Sequence, residues 1–180
     1  MRAPSTGSHD VLAKKLVVVF CGLNPSIEAA ATGHNFGSRF WRVLHLSGFT
    51  PHRIAAENDR TLLRFGCGIT AAVARGTRSA AEIPRSEFVR EAAAFERKIA
   101  HHGPHAVAFL GKAAYSAMSG RRLLEWGPQN EMFGGAIAWI LPNPSGLNRS
   151  FTLDRLVERY CELKDNVAHR LAMFAADRSD

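Results

Sequence analysis

Leu16–Phe20, LVVVF, is a short β-branched run, apolar at every position, and it gives way at once to Cys21–Ser26, CGLNPS. A run of this length with no polar alternation is the pattern of a strand buried on both faces. Ala106–Leu110, AVAFL, and Ala136–Leu141, AIAWIL, repeat the pattern. The last of them runs into Leu141–Arg149, LPNPSGLNR, so the same Asn-Pro-Ser core follows two apolar strands. Between the strands lie helical patterns. Arg39–Ser47 carries apolar residues at Phe40, Val43, Leu44 and Leu46 and is ended by Gly48. Ser86–His102 places Phe88, Ala92, Phe95 and Ile99 on one face before Gly103-Pro104 stops it. Leu153, Leu156, Val157, Tyr160, Leu163 and Val167 form one face of a final helix. Cys67–Val73 reads as strand or loop, and Thr61–Phe65 as a helical turn. Buried strands alternating with helices predict an α/β domain whose parallel sheet is covered on both faces. Ligands of such sheets bind beyond the carboxyl ends of the strands, where both Asn-Pro-Ser loops fall.

The 180 residues suffice for one domain with a sizeable core. Residues 1–10 read as a flexible tail, 11–174 as a single domain and 175–180 as a frayed end. No segment is apolar enough to span a membrane, and the polar start, MRAPSTGSHD, lacks the core of a secretory signal. A cytoplasmic location is expected. A net charge of +7 favours a polyanionic partner such as nucleic acid, although many basic proteins bind none specifically. Cys21, Cys67 and Cys161 are odd in number and far apart, which argues against a zinc site, an iron–sulfur site or a disulfide framework. No metal is expected.

The loop from Cys21 to Ser38 is rich in Gly, Asn and Ala and too long for a simple connector, which marks it as functional. Asn24 precedes Pro25, so its backbone is driven towards an extended conformation and its side chain is held in one direction. The same pair also suits a plain helix start, with Asn as N-cap and Pro as first helical residue. Asn-Pro and Ser-Gly in the second loop are equally at home in an ordinary turn. FLGKAAY around Gly111-Lys112 fails as a P-loop, because Ala106 and Ala113 stand where the glycine and the Ser/Thr belong. HHGPH at His101–His105 fits a solvated helix end, and Trp41, Trp126 and Trp139 fit the core.

The ordered set VVVFCGLNPS, TGHNF, RFWRVLHLSGF, CGIT, FLGKAAY and WILPNPSGLNR resembles the mismatch-specific uracil/thymine-DNA glycosylase family of the bacterial Mug type, from about Val17 to Leu163. The resemblance implies a three-layer α/β/α domain with a central twisted parallel sheet, and removal of uracil, or thymine opposite guanine, from double-stranded DNA without a cofactor. It implies that Asn24 is the catalytic asparagine that holds the attacking water. Leu23 would offer backbone groups to the flipped base, with Gly22, Ser26 and Asn143 around it, and Phe36 would stack on it. It makes Ser145, Gly146, Leu147, Asn148 and Arg149 the loop that enters the DNA. Leu147 is then the plug, Gly146 and Asn148 bond the widowed guanine with their backbones, and Arg149 meets a phosphate. Lys112 at a helix start is a further candidate for phosphate contact. A monomer is expected, since one small site on DNA needs no symmetry.

Three features depart from the family pattern. Ser26 replaces the usual glycine, which would add a hydroxyl to the pocket or narrow it. Gly37-Ser38 is a shortened segment, and Ala71 replaces a polar residue near the base. A DNA-binding module without catalysis is therefore a rival reading. An α/β nucleotide-binding enzyme such as a methyltransferase is another, opposed by the absence of GxGxxG after Phe20.

Overall fold

In a computed structural model, described here for residues 10–34 and 36–176, four parallel strands and one antiparallel strand form a single sheet in the order β2-β1-β3-β5-β4. The strands are β1 (Val18–Gly22), β2 (Cys67–Ala71), β3 (Ala106–Leu110), β4 (Gly127–Phe133) and β5 (Ala136–Leu141). The helices are α1 (Ile27–Thr32), α2 (Ser38–Leu46), α3 (Arg85–His102), α4 (Lys112–Ser119) and α5 (Leu153–Ala176). A 3₁₀ segment, Ala56–Phe65, leads into β2 and is longer than the expected turn at Thr61–Phe65. Among the described residues, no helix is long and apolar enough to cross a membrane.

Strands β1, β2 and β3 are buried at every residue, in keeping with their largely apolar character; the buried Thr70 of β2 gives its hydroxyl to Asp10. Two apolar layers cover the sheet. On one face Phe20, Ile69, Ala108 and Trp139 pack with Phe40, Trp41 and Leu44 of α2 and with Leu156, Tyr160 and Leu163 of α5. On the other, Val19, Val107, Phe109 and Ile140 pack with Phe88, Phe95 and Ile99 of α3 and with Ala114 and Tyr115 of α4. Helices on both faces make this the three-layer arrangement expected. Trp41 and Trp139 are buried, while Trp126 is only partly so.

Four details depart from the sequence reading. β1 lies two residues later than LVVVF, so Cys21 and Gly22 belong to the strand. β4 was not anticipated: it pairs antiparallel with β5 at the sheet edge, and its polar middle, Gln129–Glu131, carries no buried-strand pattern. The long loop after β1 contains α1, whose N-cap is Ser26 and not Asn24. Asp10, assigned to the tail, is tied to the domain through Thr70 and Lys98, while the rest of the tail, residues 1–9, and residues 177–180 lie outside the described residues.

The parallel register places the carboxyl ends of β1, β2, β3 and β5 along one edge. The loops that follow β1 and β5 therefore rise from the same edge with β3 between them.

Candidate functional site

Those two loops line one cleft of about 670 Å³, within the roughly 300–1,000 Å³ typical of ligand sites. From the first loop come Gly22, Leu23, Asn24, Ser26 and Phe36, and from the second Asn143, Ser145, Gly146 and Leu147. Asn148 and Arg149 are outside it, Arg149 being exposed.

The first loop is zipped to the segment after β2. The carbonyls of Gly22 and Leu23 accept from the N–H groups of Ala72 and Val73, 2.9 and 3.0 Å. Thr77 N–H donates to Pro25 and Ile27 N–H to Thr77, 3.2 and 3.1 Å. Against this rigid backing, Asn24 Nδ2 lies 2.7 Å from Thr77 Oγ1 and 3.0 Å from the carbonyls of both Arg75 and Pro25. Thr77 Oγ1 itself donates to the Ser79 carbonyl, 2.8 Å, so towards Asn24 it accepts. Three acceptors around the nitrogen fix the amide orientation. The Asn24 carbonyl oxygen has no hydrogen bond among the described residues, which leaves it available to a water.

The segment that holds Asn24 is itself clamped. Arg75 Nε and Nη2 meet both carboxylate oxygens of Glu87 on α3 at 3.1 and 2.9 Å. The hydrogen bond to Arg75 holds the Glu87 carboxyl below its usual range. Ser79 and Glu82 close the far end with a capping box. Because the pairing lowers the folded-state pKa of Glu87, its stabilising effect is present above the ordinary carboxylate range. That effect is lost as pH falls through the lowered value. Urea midpoints for wild type and Glu87→Gln should therefore differ at neutral pH and converge once the pH has fallen through that lowered value. A constant difference down to strongly acidic pH would contradict the clamp.

Phe36 is the cleft's aromatic wall. Its ring stacks on the buried Phe40, centroids 4.2 Å apart and planes 25° from parallel. Its backbone is left-handed at φ 66°, a conformation that costs a non-glycine residue about 1–3 kcal/mol. Trp41 Nε1 holds its carbonyl at 3.3 Å. A Cβ at residue 22 would sit 3.1 Å from Cε1 and Cζ of the Phe36 ring, so Gly22 is what lets the ring lie against β1. The short Gly37-Ser38 segment simply starts α2, with Gly37 as its N-cap.

The Ser26 hydroxyl accepts from Ala29 N–H at 3.0 Å. It caps α1 while Ser26 still lines the cleft, so one lone pair is engaged and its O–H remains able to donate. Ala71 pairs with Gly22 and brings no polar side chain to the cleft. Glu28, exposed on α1, is the one carboxylate among the described lining residues.

The second loop is shaped by its own side chains. Asn143 Oδ1 accepts from Ser145 N–H and Asn148 Nδ2 donates to the Asn143 carbonyl, both at 3.0 Å. Leu147 projects from this frame and is 89% exposed, with Gly146 beside it in open space. Gly146 does not take a positive φ. The Asn148 backbone, expected to face guanine, has partners within the protein. Its N–H donates to Ser145 and its carbonyl accepts from Arg39. The Gly146 backbone has no hydrogen bond among the described residues.

Lys112 does not line this cleft. Its ammonium sits 4.7 Å over the Trp126 ring, in a smaller depression with Arg85 and Arg122. Burial raises the Cys21 thiol far above its normal value and pushes Cys67 up to about 12, so neither is a nucleophile. Among the described residues, no group of three or more His, Cys, Asp or Glu side chains could hold a metal ion.

Sequence reasoning missed Thr77 and Arg75, which orient Asn24, and Arg39, whose guanidinium reaches three carbonyls of the second loop. It also missed Arg78, a cation lining the cleft. The family model described as the uracil DNA glycosylase superfamily matches residues 9–167.

Proposed function

Because the chain belongs to the uracil DNA glycosylase superfamily, whose members are DNA glycosylases, we propose that it is a monofunctional enzyme of the mismatch-specific, Mug-like type. It acts on double-stranded DNA, takes uracil out of G·U pairs, and leaves an abasic site as a step of base-excision repair. The observation that carries this reading is the shared cleft, with the oriented Asn24 amide on one side and the exposed Leu147 on the other.

In this reading the flipped uracil lies on Phe36, and Gly22, Leu23 and Asn143 border it. The bond from sugar C1′ to base N1 breaks and its electron pair leaves with the base. The developing base anion needs hydrogen-bond donors, each worth roughly 2.7–4 kcal/mol if it acts as oxyanion donors do. The sugar cation is electrophilic enough that water needs placement more than deprotonation. Asn24 Oδ1 accepts a hydrogen bond from the water and so aims its oxygen at C1′. Addition of that water and loss of its proton to solvent complete the hydrolysis. Leu147 fills the vacated slot, and the unengaged Gly146 peptide is the group placed to read the opposite guanine. Arg149 and Arg78 are exposed or cleft-lining cations suited to backbone phosphates. A monomer fits this reading, since one small site on DNA needs no symmetry.

The test is a panel of end-labelled duplexes carrying uracil, thymine or ethenocytosine opposite guanine or adenine, with a single strand alongside. Each is treated with the protein and then with alkali. The expected result is cleavage at uracil opposite guanine above all others. Salt-sensitive binding with no alkali-labile site after long incubation would instead establish a DNA-binding module without catalysis.

A further inference from the structure

We propose that Arg39 is the positioning residue that holds the wedge loop against the base platform, so that filling the stack depends on its guanidinium; the inference rests on the glycosylase reading above. Arg39 lies in the first turn of α2, three residues after Phe36. Its Nη1 donates to the carbonyls of Ser145 and Asn148, both at 3.2 Å, and its Nη2 to that of Phe151 at 2.7 Å. These carbonyls bracket Leu147 on both sides. The hydrogen bonds within the loop shape the turn. Among the described residues, Arg39 is what joins it by hydrogen bonds to the helix that follows Phe36.

A wedge driven between stacked bases works only if its base does not yield. Leu147 makes no buried contact that would stiffen it, being almost fully exposed. A planar cation donating to three carbonyls supplies the stiffness through charge-assisted bonds in a fixed fork. A lysine ammonium has one nitrogen and cannot reproduce that span. Platform and wedge are thus set relative to each other through one side chain.

The experiment compares wild type, Arg39→Ala, Arg39→Lys, Leu147→Ala and Asn24→Ala by single-turnover excision from two duplexes. One carries uracil opposite guanine. The other carries uracil opposite a flat aromatic hydrocarbon that fills the stack in place of the wedge. On the G·U duplex both Arg39 variants should lose about tenfold or more, the loss that a charge-assisted hydrogen bond can carry. On the hydrocarbon duplex Arg39→Ala should recover alongside Leu147→Ala, while Asn24→Ala should not. Circular dichroism checks folding, and Arg39→Lys carries the comparison should the alanine variant fail to fold. Undiminished activity on G·U, or an Arg39 defect that the hydrocarbon leaves untouched as it does that of Asn24→Ala, would overturn the role. Wild type leaving no abasic site on either duplex would sink the glycosylase reading itself, a distinct outcome.

Discussion

Asn24→Ala is expected to lower single-turnover excision of uracil from a G·U duplex by about a hundredfold or more, the scale of effect that misplacing a reacting group carries. DNA binding, read by mobility shift, should remain within about twofold, since affinity rests mainly on phosphate contacts made elsewhere. The reason lies in how the amide is held. Its nitrogen faces Thr77 Oγ1 and the carbonyls of Arg75 and Pro25, which turns its oxygen outward. The same geometry sets a second outcome. Asn24→Asp should not rescue activity, although a carboxylate is the better base. It would place an oxygen against two carbonyl oxygens, and the Thr77 hydroxyl could donate to it only by giving up its bond to the Ser79 carbonyl. Full activity in the aspartate variant would show that proton removal, and not water placement, is the role of residue 24.

The other large effect is expected at Leu147. Its side chain contributes almost nothing to the core, so Leu147→Ala should leave the melting temperature unchanged. Buried in a base stack, the same side chain would contribute roughly 1.5–3 kcal/mol. Losing most of that corresponds to a fall of about tenfold to a hundredfold in excision from duplex. A uracil in single-stranded DNA leaves no slot to fill, so the variant's deficit there should be much smaller. Equal losses on both substrates would remove the wedge from the account.

What could be read from the chain follows from how local each feature is. LVVVF and AIAWIL announce buried strands because their whole pattern lies within a few neighbouring residues. β4 stays hidden because an edge strand with Gln129, Asn130 and Glu131 exposed or half-exposed has no such pattern. α1 stays hidden because Ala-rich residues show little amphipathicity, and because the capping role that suited Asn24 belongs to Ser26. The same distinction runs through the site. Asn24, Phe36 and Leu147 sit in loops whose own Pro, Gly and Asn residues mark them. Thr77 acts across 53 residues of sequence and Arg39 across 106 to 112, so only the folded sheet brings them to their partners. Ser26 and Asn148 carry groups that the folded chain engages in ways the sequence does not announce. Ser26 Oγ accepts locally from Ala29 N–H and the Asn148 N–H donates locally to Ser145, whereas the Asn148 carbonyl accepts from Arg39 across 109 residues.

The most direct measurement is a structure of the protein bound to a duplex holding a non-hydrolysable uracil nucleotide opposite guanine. The account predicts the uracil outside the helix on the Phe36 ring, a water between Asn24 Oδ1 and C1′, and the Leu147 side chain in the stack. A uracil still paired within the duplex, or a Leu147 turned away from it while the protein is bound, would contradict the claim that the two loops act on one nucleotide.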